Sequence, residues 1–151
     1  MRSAISVEAS TVIARPVEEV FAFASDQANE PTWHTDILEI RPAPGSDVGR
    51  GLGSRWIVMV SFMGRNEYEV EVTGFQPNRL VEITTKSGPL RPTTTYRLEP
   101  AGGGTRFRRH VDIPLYGMFR LMRPLIAPSA GRRNARFVEN LKALLEDRTA
   151  S

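Results

Sequence analysis

Two histidines, His34 and His110, are the only side chains of this 151-residue chain that titrate near neutrality in their ordinary state. His34 lies two residues before Asp36 and eight after Asp26. His34 with one of those carboxylates is the acid and base pair to test, near the expected mouth of the fold. His110 alternates out of phase with Phe107 and Val111 and is expected to face solvent. Arg109 has the opposite phase and is expected to face inward with Phe107, Val111 and Ile113. A buried guanidinium needs an anionic or multi-carbonyl partner, which a ligand carboxylate or a protein acid could supply. Tyr68, Thr94 and Tyr96 fall on inward registers of other strands, where a hydroxyl on an apolar wall can orient a ligand carbonyl or phenol. Trp33, Phe107, Met118, Phe119 and Met122 supply apolar surface for the same wall, and each also reads as ordinary core.

Sharper motifs are missing. Gly49-Arg50-Gly51-Leu52-Gly53 is followed by a strand rather than a helix and lacks Gly-Lys-Ser/Thr, so it is not read as a phosphate loop. There is no Gly-x-Ser-x-Gly elbow and no His-Glu-x-x-His. The chain has no cysteine, which excludes disulfides and thiol nucleophiles, and neither histidine has neighbours at metal-ligand spacing. The sequence therefore gives an expectation of no metal and no cofactor. Net charge is +3, and all cationic side chains except Lys86 and Lys142 are arginines. Eight arginines between Arg106 and Arg136 meet one acid, Asp112. Such a segment could dock on an anionic surface, but it carries no aromatic interleaving, and the plainer reading is a solvated face with local carboxylates. The expectation is no nucleic-acid partner. No stretch approaches the roughly 20 apolar residues of a membrane span, and the N-terminus alternates instead of forming an apolar signal run. The chain is accordingly read as cytoplasmic, without stable membrane insertion; its oligomeric state is left open, a dimer included.

The elements that must position these residues follow in a simple order. Ile5, Val7, Ala9 and Ile13 alternate with polar residues, the period of a half-buried strand. Pro16 at the first helical position precedes the stripe Val17, Val20, Phe21 and Ala24. Ser25-Asp26 and Asn29-Glu30-Pro31 break this helix, leaving one more turn before Trp33. Short strands are expected at Ile37–Ile40, around Trp56, Val58, Val60 and Phe62, and at 67–73. Further strands are expected at Leu80–Lys86, Thr93–Glu99 and Thr105–Ile113, with tight turns between them. Met63–Asn66 is read as one hairpin turn and Gly88-Pro89 with Pro92 as part of another. After Pro114, apolar residues recur at helical spacing, with Pro124, Pro128 and Gly131 expected to kink or break the run. Phe137, Leu141, Leu144 and Leu145 then share a face, and the last residues from Asp147 are expected to fray. This pattern is one α+β domain over residues 1–151, with six or seven antiparallel strands bent around a long C-terminal helix. The two available helical segments cannot fill the concave face, which predicts an enclosed space.

Several stretches carry a resemblance. The run 13–23 with Asp26, Asn29, Pro31 and Trp33 resembles the N-terminal signature of the START-like (SRPBCC) superfamily, which includes polyketide cyclase/dehydrase and lipid-transport proteins. Val48 to Trp56, Phe75 to Leu80 and Gly103 to Phe107 are similar in the same order, so the resemblance spans about residues 5 to 145. It implies a helix-grip fold with two short helices after the first strand and a cavity for an apolar or amphipathic small molecule. The function expected is binding or carriage of a small hydrophobic or aromatic metabolite. The alternative is a polyketide cyclase/dehydratase-type enzyme working in the same cavity.

Overall fold

The computed structural model describes residues 4–46, 50–61, 64–88 and 90–147. Phe62, Met63, Pro89, the Val48-Gly49 start of the glycine approach and the tail beyond Asp147 lie outside the described residues. Seven strands form one curved antiparallel sheet: β1 (Ala4–Ile13), β2 (Ile37–Pro42), β3 (Arg55–Ser61), β4 (Arg65–Gln76), β5 (Leu80–Thr85), β6 (Thr93–Ala101) and β7 (Gly104–Pro114). Their order is β1-β7-β6-β5-β4-β3-β2, so β2 to β7 run as a meander and β1 returns to pair with β7. Turn chemistry fixes the registers. Gly102 and Gly103, both at positive φ, close the two-residue hairpin between paired Ala101 and Gly104. Asn78, at φ 65°, turns β4 into β5, a conformation asparagine tolerates better than most side chains.

Helix α1 (Val17–Ala24) buries Val20, Phe21 and Ala24. Pro16 serves as its N-cap rather than its first helical residue, one position from the expectation. A 3₁₀ helix follows at Gln27–Thr32, then a single turn α2 (Met118–Leu121) and the long α3 (Arg123–Asp147) close the chain.

Helix α3 runs unbroken through Pro124, Pro128 and Gly131, contrary to the expected interruption. Pro124 lies in the first turn, where its missing N–H has no intrahelical partner to lose. Pro128 removes one ladder bond, but the helix is held from both sides of it by buried Ile126 and by Phe137, Val138, Leu141 and Leu145. Gly131 packs toward β1 with room for a side chain, since a Cβ there would stand 3.9 Å from Val7 Cγ1, an ordinary contact.

Two apolar clusters result. The larger gathers Ile13, Val20, Trp33, Tyr96, Phe107, Phe137, Leu141 and Leu145 around the C-terminal half of α3. The smaller gathers Ile5, Leu90, Val111, Ile113, Leu115 and Ile126 under its N-terminal half. Between them, besides Arg133, which pairs with Asp36, α3 presents Ala130 and Asn134 to the cavity. A methyl and an amide do not reach across the concave face, and a cavity of about 210 Å³ remains. It lies beneath short side chains on an unbroken helix.

Candidate functional site

The cavity is walled mainly by apolar side chains of the sheet, among them Val58, Val60, Val70, Ile83, Val111 and Ile113, with Phe137 and Ile126 from α3. Its polar groups collect on a few positions. Strands β6 and β7 place Tyr96 directly opposite Arg109 and Thr94 opposite Val111, all on the concave face. Arg109 is 6% exposed. Its Nη1 donates to Asn134 Oδ1 at 2.6 Å, while Asn134 Nδ2 donates back to the Arg109 carbonyl at 2.9 Å. This reciprocal clasp pins α3 to β7. The guanidinium lies 5.4 Å from the Phe137 ring centroid and 5.9 Å from that of Tyr96. Its Nε has no partner, and no carboxylate among the described residues forms an ion pair with it.

The second polar group comes from the 3₁₀ helix. Asp26 caps this helix by accepting from the Ala28 N–H at 3.1 Å. At three residues per turn, Gln27, Glu30 and Trp33 stack on one side, and all three are buried. Glu30 thus enters the cavity wall, where the Tyr96 hydroxyl donates to its Oε1 at 2.6 Å. Burial pushes the Glu30 carboxyl up to about 7, against the opposing pull of the Tyr96 hydrogen bond and the Arg109 charge. Burial and the neighbouring Glu30 charge hold the Tyr96 phenol well above its usual value, so it stays a donor.

His34 completes this end. Its backbone N–H donates to the Glu30 carbonyl at 2.8 Å, and its ring stacks on Phe137 with centroids 4.0 Å apart. Part of the side chain faces the cavity, while Nδ1 is buried without a partner, as is Gln27 Nε2. Burial first, then the Arg109 and Arg133 charges, drive its pKa well below the ordinary value, so the imidazole is neutral at neutral pH. At the wall nearby, Arg133 of α3 pairs with Asp36 at 3.4 Å. Tyr68 and Thr94 line the cavity further along; Tyr68 is raised above the usual phenol value, chiefly by burial.

The structure brings Tyr68, Thr94, Tyr96, Arg109, His34 and Asp36 to one cavity. It places others elsewhere. Trp33 and Phe107 are fully buried and pack on Tyr96 from behind, at 5.5 and 5.4 Å between ring centroids, so they back the wall without lining it. Met118 is 74% exposed, and Phe119 and Met122 pack against the smaller cluster outside the lining. Asp26 is spent on its cap, and Asp36 pairs with Arg133 instead of His34. His110 lies on the outer face between Glu8 at 3.5 Å and Asp112 at 3.1 Å. In the arginine-rich segment, Arg106 and Arg108 share Glu99. Among the described residues no cluster of His, Asp or Glu could hold a metal ion, and no helix is long and apolar enough to cross a membrane.

Sequence reasoning missed Glu30 and Asn134. Glu30 stood in the chain as part of a helix-breaking Asn-Glu-Pro. The available signal was the three-residue spacing that ties Gln27 and Glu30 to the apolar Trp33. Asn134 shares the α3 stripe of Ala130, Phe137 and Leu141, and a lone amide on such a stripe needs a buried partner.

Residues 4–146 match the model of the polyketide cyclase / dehydrase and lipid transport family. Among solved structures, the Zhui aromatase/cyclase from Streptomyces sp. R1128 superposes with a TM-score of 0.81 at 12% identity, covering 97% of this chain and 96% of that one. A truncated norcoclaurine synthase from Thalictrum flavum gives 0.70 at 12% identity over 95% and 94%. A protein from Thermus thermophilus gives 0.74 at 20% identity over 97% and 99%. At these identities the likeness is one of fold. No curated protein matches the sequence.

Proposed function

The chain belongs to the polyketide cyclase / dehydrase and lipid transport family, and from that premise we propose that it binds or carries a small hydrophobic or aromatic molecule in the cavity under α3. The observation that carries this reading is an apolar chamber of about 210 Å³ whose wall holds one buried guanidinium with no ion pair among the described residues. An engineered apolar cavity of about 150 Å³ holds benzene, so this chamber suits one or two fused rings or a short chain. Apolar burial supplies the affinity, at roughly 25 cal/mol for each Å² removed from water. Arg109 and Tyr96 orient the polar end, with Thr94 and Tyr68 along the wall.

The test is stoichiometric binding of 2-naphthol, followed by quenching of Trp33 and Trp56, in wild type and in Ala130→Phe. Ala130 lines the cavity from α3, and a phenyl ring there fills it. Wild type is expected to bind and the variant to lose binding while melting cooperatively. Undiminished binding by the variant would place the ligand elsewhere and end this reading.

One observation favours a second reading, a cyclase/dehydratase-type reaction. A carboxyl titrating at about 7, hydrogen-bonded to a phenol and facing a substrate-sized space, suits general acid and base work at neutral pH. In its ionised form Glu30 would take a proton from an activated methylene of a poly-β-keto chain and return it to the alkoxide formed when the enolate closes the ring on a ketone. It would then remove the second α-proton and pass it to that hydroxyl, which leaves as water as the carbon–carbon double bond forms. Arg109 would hold the enolate oxygen. Turnover of a poly-β-keto thioester analogue that stops in Glu30→Gln supports the enzyme; binding without turnover supports the carrier.

A further inference from the structure

The polar end of the cavity carries a guanidinium charge with no ion pair among the described residues, Glu30 nearby being only partly ionised at neutral pH. Arg109 is buried, its one side-chain hydrogen-bond partner on α3 is a neutral amide, and its Nε has none. A buried cation in this state is costly unless something anionic joins it. The groups facing this end come from every element around it. They are Tyr96 on β6, Arg109 on β7, Glu30 and His34 on the segment after α1, and Arg133 on α3, which is occupied by Asp36. His34 and Tyr96 are neutral at neutral pH, and Glu30 is close to half ionised there because burial outweighs its neighbours. Among the described residues no carboxylate forms an ion pair with Arg109.

An anionic group arriving at Arg109 changes two things for Glu30. It shares the guanidinium charge that favoured the carboxylate, and it adds a like charge nearby. Both push Glu30 to its protonated form. A protonated Glu30 accepts from Tyr96 on Oε1 and gains an O–H donor. A monoanion suits the place, because a single guanidinium, already bonded to Asn134 and with one neutral donor beside it, cannot balance a dianion such as phosphate.

Resting on the binding reading above, we propose that the cavity selects an aromatic or short aliphatic monocarboxylate. Arg109 holds the ligand as its anion, and Glu30 takes up a proton from solvent as it enters. The ligand class and the proton count are thus set by the same pair of side chains.

The test compares 2-naphthoate with 2-naphthol by titration calorimetry in two buffers of different ionisation enthalpy. Wild type is expected to prefer 2-naphthoate by about tenfold or more, the scale of one charge-assisted contact. It should take up about half a proton per naphthoate near pH 7 and close to one near pH 8. Glu30→Gln is expected to bind naphthoate with no proton uptake and with affinity independent of pH. Arg109→Gln is expected to lose the preference for the acid, its affinities for 2-naphthoate and 2-naphthol converging to within about threefold of each other. Equal binding of the two ligands by wild type, zero uptake, or uptake that persists in Glu30→Gln would each overturn the proposal while leaving the cavity as a binding site. Binding of neither ligand by wild type would overturn both readings.

Discussion

Replacing Glu30 by Gln should change how stability responds to pH, and the size of the change follows from the site. In the unfolded chain the carboxyl titrates near 4.5; buried against Tyr96 it titrates at about 7. Between those values the native protein holds the proton and the unfolded chain has released it. Raising the pH through this window therefore favours unfolding, and above about 7 the effect is complete. At about 1.4 kcal/mol per pH unit, the Glu30 contribution lost between pH 5 and 8 is roughly 3 kcal/mol. Gln keeps an acceptor oxygen for the Tyr96 hydroxyl and cannot ionise, so the variant lacks this decline. His34 acts in the opposite direction, because its folded pKa is lowered and stability falls as pH drops below 6.5. It is present in both proteins, so the difference between them isolates Glu30. Urea unfolding followed by Trp33 and Trp56 fluorescence, both indoles being buried, measures it. The variant should gain on wild type by roughly 1–3 M in urea midpoint from pH 5 to pH 8. Parallel curves, with a gap constant to within about 0.5 kcal/mol, would refute a proton held by Glu30 in the folded state.

Three further outcomes follow from the same geometry. His34→Phe keeps the stack on Phe137 and removes the buried base, so its melting temperature should fall less than that of wild type when pH is lowered from 6.5 toward 5. Gly88→Ala would set a Cβ 2.2 Å from the Tyr68 ring at a residue with φ +95°, and urea midpoints should report a loss of about 1–3 kcal/mol together with weaker naphthol binding as Tyr68 is pushed from its place. Arg109→Met exchanges a buried cation for an apolar chain of similar length, at the cost of the Asn134 Oδ1 bond. Its stability by calorimetry should stay within about 1 kcal/mol of wild type, and a loss above about 3 kcal/mol would make Arg109 a structural residue.

Where a side chain's place depends on strand alternation, the sequence was readable. Tyr68, Thr94, Tyr96 and Arg109 follow period two, and turn residues such as Gly102, Gly103 and Asn78 fix the registers that make them face one space. Alternation gives the face but not the depth: it counts Phe107 with the lining, although Phe107 packs one layer behind it, as does Trp33 at the end of the 3₁₀ helix. Asp36 was matched to His34 by proximity in the chain, yet its cation comes from α3, almost a hundred residues away. That contact depends on how the helix lies on the sheet. Helix continuity across Pro128 and Gly131 is a tertiary effect of the same kind, since burial on both flanks outweighs one missing ladder bond. Glu30 was hidden because a 3₁₀ turn stacks every third residue, and short segments of this kind leave too few positions for the period to stand out.

The choice between carrier and enzyme turns on where one proton goes. Glu30, Tyr96 and Arg109 serve both readings, because a carboxyl near 7 beside a buried guanidinium is suited to taking up a proton when an anion enters and equally to removing one from carbon. In a carrier the proton returns to solvent each time the ligand leaves, so pH sets the loading and nothing is transformed. In an enzyme the proton must reach a substrate atom, which requires a carbon of the ligand to sit within hydrogen-bond range of Glu30. Arg109 and Glu30 attach to adjacent parts of the same wall, joined through Tyr96, while the apolar volume extends away from them along Val70, Ile83 and Tyr68. A ligand anchored by its carboxylate therefore presents that carboxylate, and not its carbon skeleton, to Glu30. That geometry favours the carrier for acids and leaves turnover to ligands that bring a ketone to Arg109 with the adjoining carbon toward Glu30. A carboxylate ligand and a ketone substrate should consequently compete for one site, and only the second should make Glu30 ionisation necessary.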